Sequence, residues 1–332
     1  MKLSIRSPEE LVASVPHLLG FNPTDSLVLV PLTPDLPVAR VDLPTTARQR
    51  EQAWDSIGHV YARHAQPTSR VAILTFTSDV DYGDRLSQDF ALRLAGVGVA
   101  TPIRLGATDT AWIDLDTHTA GLLDTATRDR LAAQTVLHGM TQPARSRTSL
   151  AHSLVGDRQP ITDRLTDARA HAAGSSPRVE TAFAIQQLRA FHTHGTRLPD
   201  PTATRFLIAL ESIDIRDQIW EDINPHTATS HIALWSDLTR RAPDSLRAAP
   251  ATLLAFASWL KGNGALAWCA LDQVPHDKPY NAAHLVTAIV QHGIHPREWT
   301  ACAATASEVS HRLEAVTATQ TRTQPGPPPP GI

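Results

Sequence analysis

The sequence predicts an α/β (α+β) protein in two parts with a tail. A mixed-sheet α/β domain covers residues 1–124, a helical domain covers 125–320 with a helical hairpin at 250–292, and a disordered Pro-rich tail covers 321–332. Three observations carry that prediction. Short branched apolar runs alternate with helical-period segments in the first third, the pattern of sheet and helix layered together. From about residue 125 onward the strand-like runs stop and helical spacing continues. The chain closes on "TQPGPPPPGI", whose prolines supply neither helix nor ladder hydrogen bonds and favour a polyproline-like tail.

"SPEE" at 7–10 is a helix start: Ser7 caps, Pro8 suits the first helical position and Glu10 completes a capping box. Leu11, Val12, Val15, Leu18 and Leu19 then make an apolar stripe. Pro16 lacks an amide hydrogen, so the helix is expected to kink or stop near Val15, with Gly20 as a left-handed terminator. "GFNPTDS" follows as a turn, and "SLVLV" at 26–30 reads as a strand buried on both faces. "TPDLP" at 33–37 turns the chain into "VARVDL" at 38–43, where Arg40 and Asp42 share one face and Ala39, Val41 and Leu43 the other. So short a connection predicts an antiparallel hairpin. A helix is predicted over 46–65, a buried strand at 70–76 and a helix over 83–95, with strands at 97–105 and 111–115. Helices are expected near 127–138, 161–172, 178–193, 201–222, 226–241, 250–261, 263–273, 279–292 and 304–318; "GMTQPARSRT" and "AHAAGSSPR" read as connections.

Composition narrows the function classes. A hydrophobic share of 42% and a charged share of 19% belong to a folded globular chain, and a net charge of −3 gives no global attraction to nucleic acid. Only Lys2, Lys261 and Lys278 are lysines among the 30 basic residues, a bias that reads as codon usage before it reads as phosphate recognition. Cys269 and Cys302 are too few for a disulfide framework or a thiolate metal site. No leader-like segment and no apolar run of membrane length is visible, so a cytoplasmic protein without a membrane partner is expected.

Several motifs are distinctive as a set: "SPEELVASVPHLLGFNPTDSLVLV" at 7–30, "RVDLP" at 40–44, "RDQIW" at 216–220, "LWSDLTRRAP" at 234–243 and "LLAFASWLKGNGALAWCAL" at 253–271, with "KPYNAAHLV" and "HGIHPREW" behind them. They resemble an actinobacterial family known as domain of unknown function 4192, over most of residues 7–299. The resemblance implies architecture more than chemistry, because no activity is established for that family. It also shows a departure. Many relatives carry a Cys-rich stretch with a Cys-Cys-Pro element after the third or fourth strand, whereas this chain reads "TAWIDLDTHTAGLLD" there, without cysteine. A metal or redox role for those thiols is therefore not expected here.

The candidate ligand-binding residues are Arg40, Asp42, Asp79, Asp81, Asp84, Arg216 and Asp217. Asp79, Asp81 and Asp84 in "SDVDYGD" follow a strand end, where carboxylates can hold a hard cation such as Mg²⁺. An EF-hand is excluded, since the place that requires Glu is Phe90. A helix-capping role for the three acids is the simpler expectation. Arg40 with Asp42, and Arg216 with Asp217, are expected as structural ion pairs before ligand groups. No phosphate loop and no dinucleotide fingerprint occurs; "AGVGVA" at 95–100 precedes a strand instead of a helix. "HGIH" at 292–295 with His284, and "HTHG" at 192–195, read as helix-terminal histidines rather than metal ligands, so no metal site is predicted. Nucleophilic catalysis finds no motif either: Ser26 has no neighbouring histidine and no G-x-S-x-G elbow exists.

The leading expectation is therefore a non-enzymatic interaction or regulatory module with a protein partner and no cofactor. It rests on the missing catalytic signatures and on "ASWLKGNGALAWCALDQVPHDKPYNAAHLV", a helical hairpin loosely like one tetratricopeptide unit. The first alternative is a divalent-cation-dependent nucleotide-binding protein or hydrolase that uses the strand-end carboxylates with Mg²⁺. The second is nucleic-acid binding through arginines such as Arg145, Arg147, Arg240 and Arg241, which the overall charge does not favour. Catalytic residues and any small-molecule ligand stay unassigned by the sequence.

Overall fold

A computed structural model describes residues 5–34, 36–137, 142–277, 279–296 and 299. It divides into two compact units. The first takes the chain up to Gly156 together with 261–272 and 287–295; the second takes 157–260 and 273–286 with Pro296 and Trp299. The expected boundary at 124/125 falls inside the first of these units, to which segments from beyond residue 260 also belong. The predicted tail at 321–332 and the predicted helix at 304–318 lie outside the described residues.

The first unit opens with α1 (Pro8–Leu19), capped by the Ser7 side chain accepting from the Glu10 amide. The helix does not stop at Val15 as expected. Pro16 stays inside it, and Gly20, at φ 77°, closes the last turn by donating its amide to the Pro16 carbonyl. Leu11, Val12, Val15 and Leu19 are buried along the helix, so packing offsets the hydrogen bond that Pro16 cannot make.

Strands β1 (Ser26–Pro31), β2 (Ala39–Asp42), β3 (Arg70–Phe76), β4 (Ala100–Ala107), β5 (Ala111–Asp114) and β6 (Ala120–Leu122) form one sheet in the order β2-β1-β3-β4-β5-β6. Only β3 and β4 pair in parallel, joined across α3 (Val80–Gly96); every other neighbour is antiparallel, including the predicted hairpin β1–β2. β6 is an element the sequence did not signal: three residues of "HTAGLL" carry no alternation to read.

Both faces of the central strands β1 and β3 are buried. Val28, Val30, Ala72 and Leu74 pack with the α1 stripe on one face. Leu27, Leu29, Val71 and Ile73 face the other, against Tyr61 of α2 (Ala47–His64) and Leu86, Phe90 and Leu94 of α3. The continuous apolar runs are thus explained by period-two alternation between two covered faces. α4 (Thr125–Leu137) is tied to α1 by the Arg130–Glu10 ion pair at 2.7 Å, and that guanidinium holds the Glu10 carboxyl below the usual range. α5 (Arg147–His152) completes the leading segment of this unit.

The second unit contains α6 (Gln159–Thr162), α7 (Leu165–Ala173), α8 (Pro177–His194), α9 (Asp200–Ala209), α10 (Ile213–Glu221), α11 (Ala228–Arg241) and α12 (Asp244–Leu260). As predicted, no strand lies beyond residue 124 among the described residues. The helix expected over 201–222 is two helices, α9 and α10, because "LES" breaks the run before Ile213. α12 begins earlier than expected and carries Pro250 in its interior. α13 (Gly264–Leu271) belongs to the first unit and α12 to the second. α14 (Asn281–Gln291) closes the described helices. The predicted hairpin region is therefore helical but divided between the units. No helix among the described residues is long and apolar enough to cross a membrane.

Candidate active site

The site lies wholly in the second unit and is assembled by the ends of three helices. α8 buries Glu180, Ala184, Leu188 and Phe191 along one stripe, which sets His192 at the edge of that stripe in the last turn. Gly195, at φ 63°, then ends the helix by donating to the Phe191 carbonyl. α10 ends at Asp222. The turn after it is fixed by Asn224, whose Oδ1 accepts from the amides of His226 and Thr227. The Asp222 carbonyl in turn accepts from Thr227 Oγ1 at 2.6 Å and Asn224 Nδ2 at 3.0 Å. α11 follows at once, with Ser230 and His231 in its first turn. Trp235 lies one turn on, on the His231 face, and stacks on Phe206 with centroids 5.8 Å apart.

These placements produce one chain of hydrogen bonds. Trp235 Nε1 donates to His231 Nδ1 at 3.0 Å. His231 Nε2 lies 2.9 Å from Asp222 Oδ2, and His192 Nε2 lies 2.9 Å from the same oxygen. His192 Nδ1 lies 2.7 Å from Ser230 Oγ. The protons follow from donor chemistry. An indole N–H only donates, so His231 Nδ1 must accept and its proton resides on Nε2, directed at Asp222. His192 presents Nε2 to the same carboxylate, which puts its proton there and leaves Nδ1 to accept from the Ser230 hydroxyl. His231 is fully buried, and burial pushes its pKa down to about 4 despite the Asp222 hydrogen bond, so it is neutral at ordinary pH. The cluster opens outward from there: the His192 side chain is 20% exposed and that of Asp222 42%, while Ser230 is half-buried.

His192, Asp222 and His231 are also a group of metal-capable side chains among the described residues, their ligand atoms all within 4.8 Å of one another. Two imidazoles and a carboxylate suit a transition metal by type. The donor set does not suit one. A metal on His231 Nε2 would need a lone pair there and a proton on Nδ1, where the Trp235 N–H is already aimed.

The sequence-predicted residues fall elsewhere. Arg40 donates to Ser26 Oγ through Nε (2.9 Å) and Nη2 (2.7 Å), and its Nη1 pairs with Asp42 at 2.6 Å. Its guanidinium also lies 5.8 Å from the centre of the Phe21 ring. Asp79 caps α3 by accepting from the Tyr82 amide at 2.9 Å, and Asp81 is exposed in the same first turn. Asp84 pairs with Arg104 at 2.8 Å, beside Ser87 and Asp116. Among the described residues no hydrogen bond or ion pair joins Arg40 or Asp42 to these three acids, which do not form a metal-capable group. Arg216 and Asp217 pair at 2.6 Å on α10, with Tyr280 Oη 3.4 Å from Arg216 Nη1. Of the histidines weighed in the sequence, His192 is corrected. It does end a helix, but its ring meets Ser230 and Asp222 rather than the helix carbonyls. Ser230, Asp222, His231 and Trp235 were missed, although "DINPHTATSHIALW" shows an Asn-Pro turn followed by His and Trp four apart.

Fold and site together define an α/β protein whose second unit carries Ser230, His192 and Asp222 in one hydrogen-bonded chain. Residues 8–297 match the sequence model of the family described as "Domain of unknown function (DUF4192)", and the chain belongs to that family. No curated protein and no solved structure matches it.

Proposed function

We propose that Ser230, His192 and Asp222 form a nucleophilic centre that hydrolyses or transfers acyl groups from small esters. The observation that carries this reading is the unbroken path Ser230 Oγ–His192 Nδ1–His192 Nε2–Asp222 Oδ2, with hydrogen-bond distances of 2.7 and 2.9 Å. Nucleophile, base and orienting acid in that order are the working parts of covalent acyl transfer on unrelated folds.

Ser230 Oγ attacks the ester carbonyl carbon while its proton passes to His192 Nδ1, and Asp222 stabilises the imidazolium through the Nε2 hydrogen. As the carbon–oxygen bond to the leaving group breaks, His192 returns the proton to the departing alkoxide, leaving an acyl-serine. Water, deprotonated by the same nitrogen, then releases the carboxylic acid and regenerates Ser230. Donors for the oxyanion would come from the Thr229 and Ser230 amides in the first turn of α11, where Thr227 makes no side-chain cap.

The test is turnover of p-nitrophenyl acetate. A burst of one equivalent followed by slow release is expected, with Ser230→Ala abolishing it and His192→Ala slowing acylation roughly 10²–10⁴-fold. Turnover that is absent, or indifferent to Ser230→Ala, removes the proposal.

A second reading keeps the chain as a non-enzymatic interaction module. Its support is the outer face of α8, where Ala182, Ile185, Gln186, Arg189, Ala190 and Thr193 line an open groove of about 450 Å³. It predicts no reaction with esters, and self-association by light scattering that weakens with Ile185→Asp.

A further inference from the structure

We propose that His231 is a positioning residue, pinned as its Nε2–H tautomer by the Trp235 indole and holding the Asp222 carboxylate on His192. The inference rests on the reading of Ser230 as a nucleophile but concerns His231 and Trp235, whose side chains hydrogen-bond to Asp222 and to each other and not to the Ser230 hydroxyl.

Three facts converge on it. First, both histidines share one oxygen of Asp222, Oδ2, at 2.9 Å each. A carboxylate with 42% of its side chain exposed would otherwise be free to rotate into water. A buried N–H on the far side fixes both its torsion and the oxygen offered to His192. Second, the direction of that N–H is not left to chance. Trp235 is fully buried, stacked on Phe206 and hydrogen-bonded to His231 Nδ1 at 3.0 Å, and an indole cannot reverse as donor. Third, the ring cannot leave. It is itself fully buried, and its edge contact with His192 keeps the two ring centres 4.8 Å apart. A neutral donor suits this post better than a cation, which would draw the carboxylate charge away from the imidazolium formed on His192.

The experiment uses the full chain in four forms: wild type, His231→Gln, His231→Leu and Trp235→Phe. Glutamine keeps an N–H for Asp222, leucine removes it, and phenylalanine keeps the stacked ring while deleting the indole hydrogen. Long-range ¹H–¹⁵N spectra read the tautomers directly, whether or not the protein turns anything over. Wild type is expected to show both His192 and His231 as Nε2–H. His231→Leu is expected to leave His192 as a tautomer mixture, because the Asp222 carboxylate is then free to turn, and Trp235→Phe is expected to do the same to His231, which has lost its donor. In parallel, the rate of Ser230 modification by a fluorophosphonate is expected to fall roughly 10–100-fold in His231→Leu, the usual cost of losing an outer partner, and to recover in His231→Gln.

The outcomes separate. If wild type resists the fluorophosphonate, the nucleophile reading fails and the spectra alone judge His231. If wild type reacts and His231→Leu reacts equally fast, positioning fails while the nucleophile stands. A His192 that keeps a single Nε2–H tautomer in His231→Leu overturns the inference in either case.

Discussion

Trp235 can only donate, and its Nε1 lies 3.0 Å from His231 Nδ1, so the wiring of the polar cluster starts from a side chain with no catalytic chemistry of its own. The consequence is measurable as stability. Burial holds the His231 pKa at about 4 against 6.5 for a free imidazole. Between those values the unfolded chain binds the proton that the folded chain refuses. The contribution is therefore complete above pH 6.5 and is lost as pH falls through about 4. The full effect is on the order of 3 kcal/mol. Urea titrations between pH 4 and 7 should show stability dropping on the acid side, and His231→Leu should flatten that slope. His17, also pushed down by burial, adds a slope of the same sign that remains in the variant. A capping residue makes the complementary case. Asp79→Ala should cost about 1 kcal/mol in the same titration, the worth of an N-cap, and leave ester turnover unchanged.

Elements show where sequence and structure part company. Ser7, Pro8 and Glu10 announce α1, a local signal that was legible; Thr46 with Gln49 makes a reciprocal capping box at the start of α2, a signal of the same kind that was missed. β1 and β3 were legible as strands covered on both faces because their apolar runs are short and uninterrupted, while the face that each residue takes came only with the structure. Pro16 misled, because its cost is paid by packing that lies far away in sequence. Gly83 would mislead in the other direction. In an exposed helix, alanine would be the better residue, but a Cβ on Gly83 would come within 2.7 Å of Thr75 Oγ1 where α3 lies on β3. Gly83→Ala should therefore destabilise by about 1–3 kcal/mol in a thermal or urea melt, against the helix propensity. The relay was not legible at all. His192, Asp222 and Ser230 lie on three helices, the closest two eight residues apart, and no periodicity encodes how those helices meet. What the sequence did contain was the pair His231 and Trp235, four apart on one helix face, which reads as ordinary core until the ring nitrogens are located.

The whole chain is a member of the family described as "Domain of unknown function (DUF4192)", and its first unit cannot be cut out by sequence position. Asn263 and Ala265 come from beyond residue 260, yet Asn263 lies against Gly20 and Ala265 packs on the α1 side of the sheet. Arg147 pairs with Asp272 at 3.1 Å within the same unit. A fragment of residues 1–156, or the shorter 1–124 expected from sequence, leaves this surface bare. Circular dichroism should show either fragment melting well below the full chain; equal melting would contradict the division into units. The chemistry, in turn, stands on one atom. Intact-mass and peptide mapping of the full chain after treatment with a fluorophosphonate tests it most directly. A single covalent adduct is expected, located on Ser230 and absent from Ser230→Ala. No adduct, or one that persists in Ser230→Ala, would contradict it.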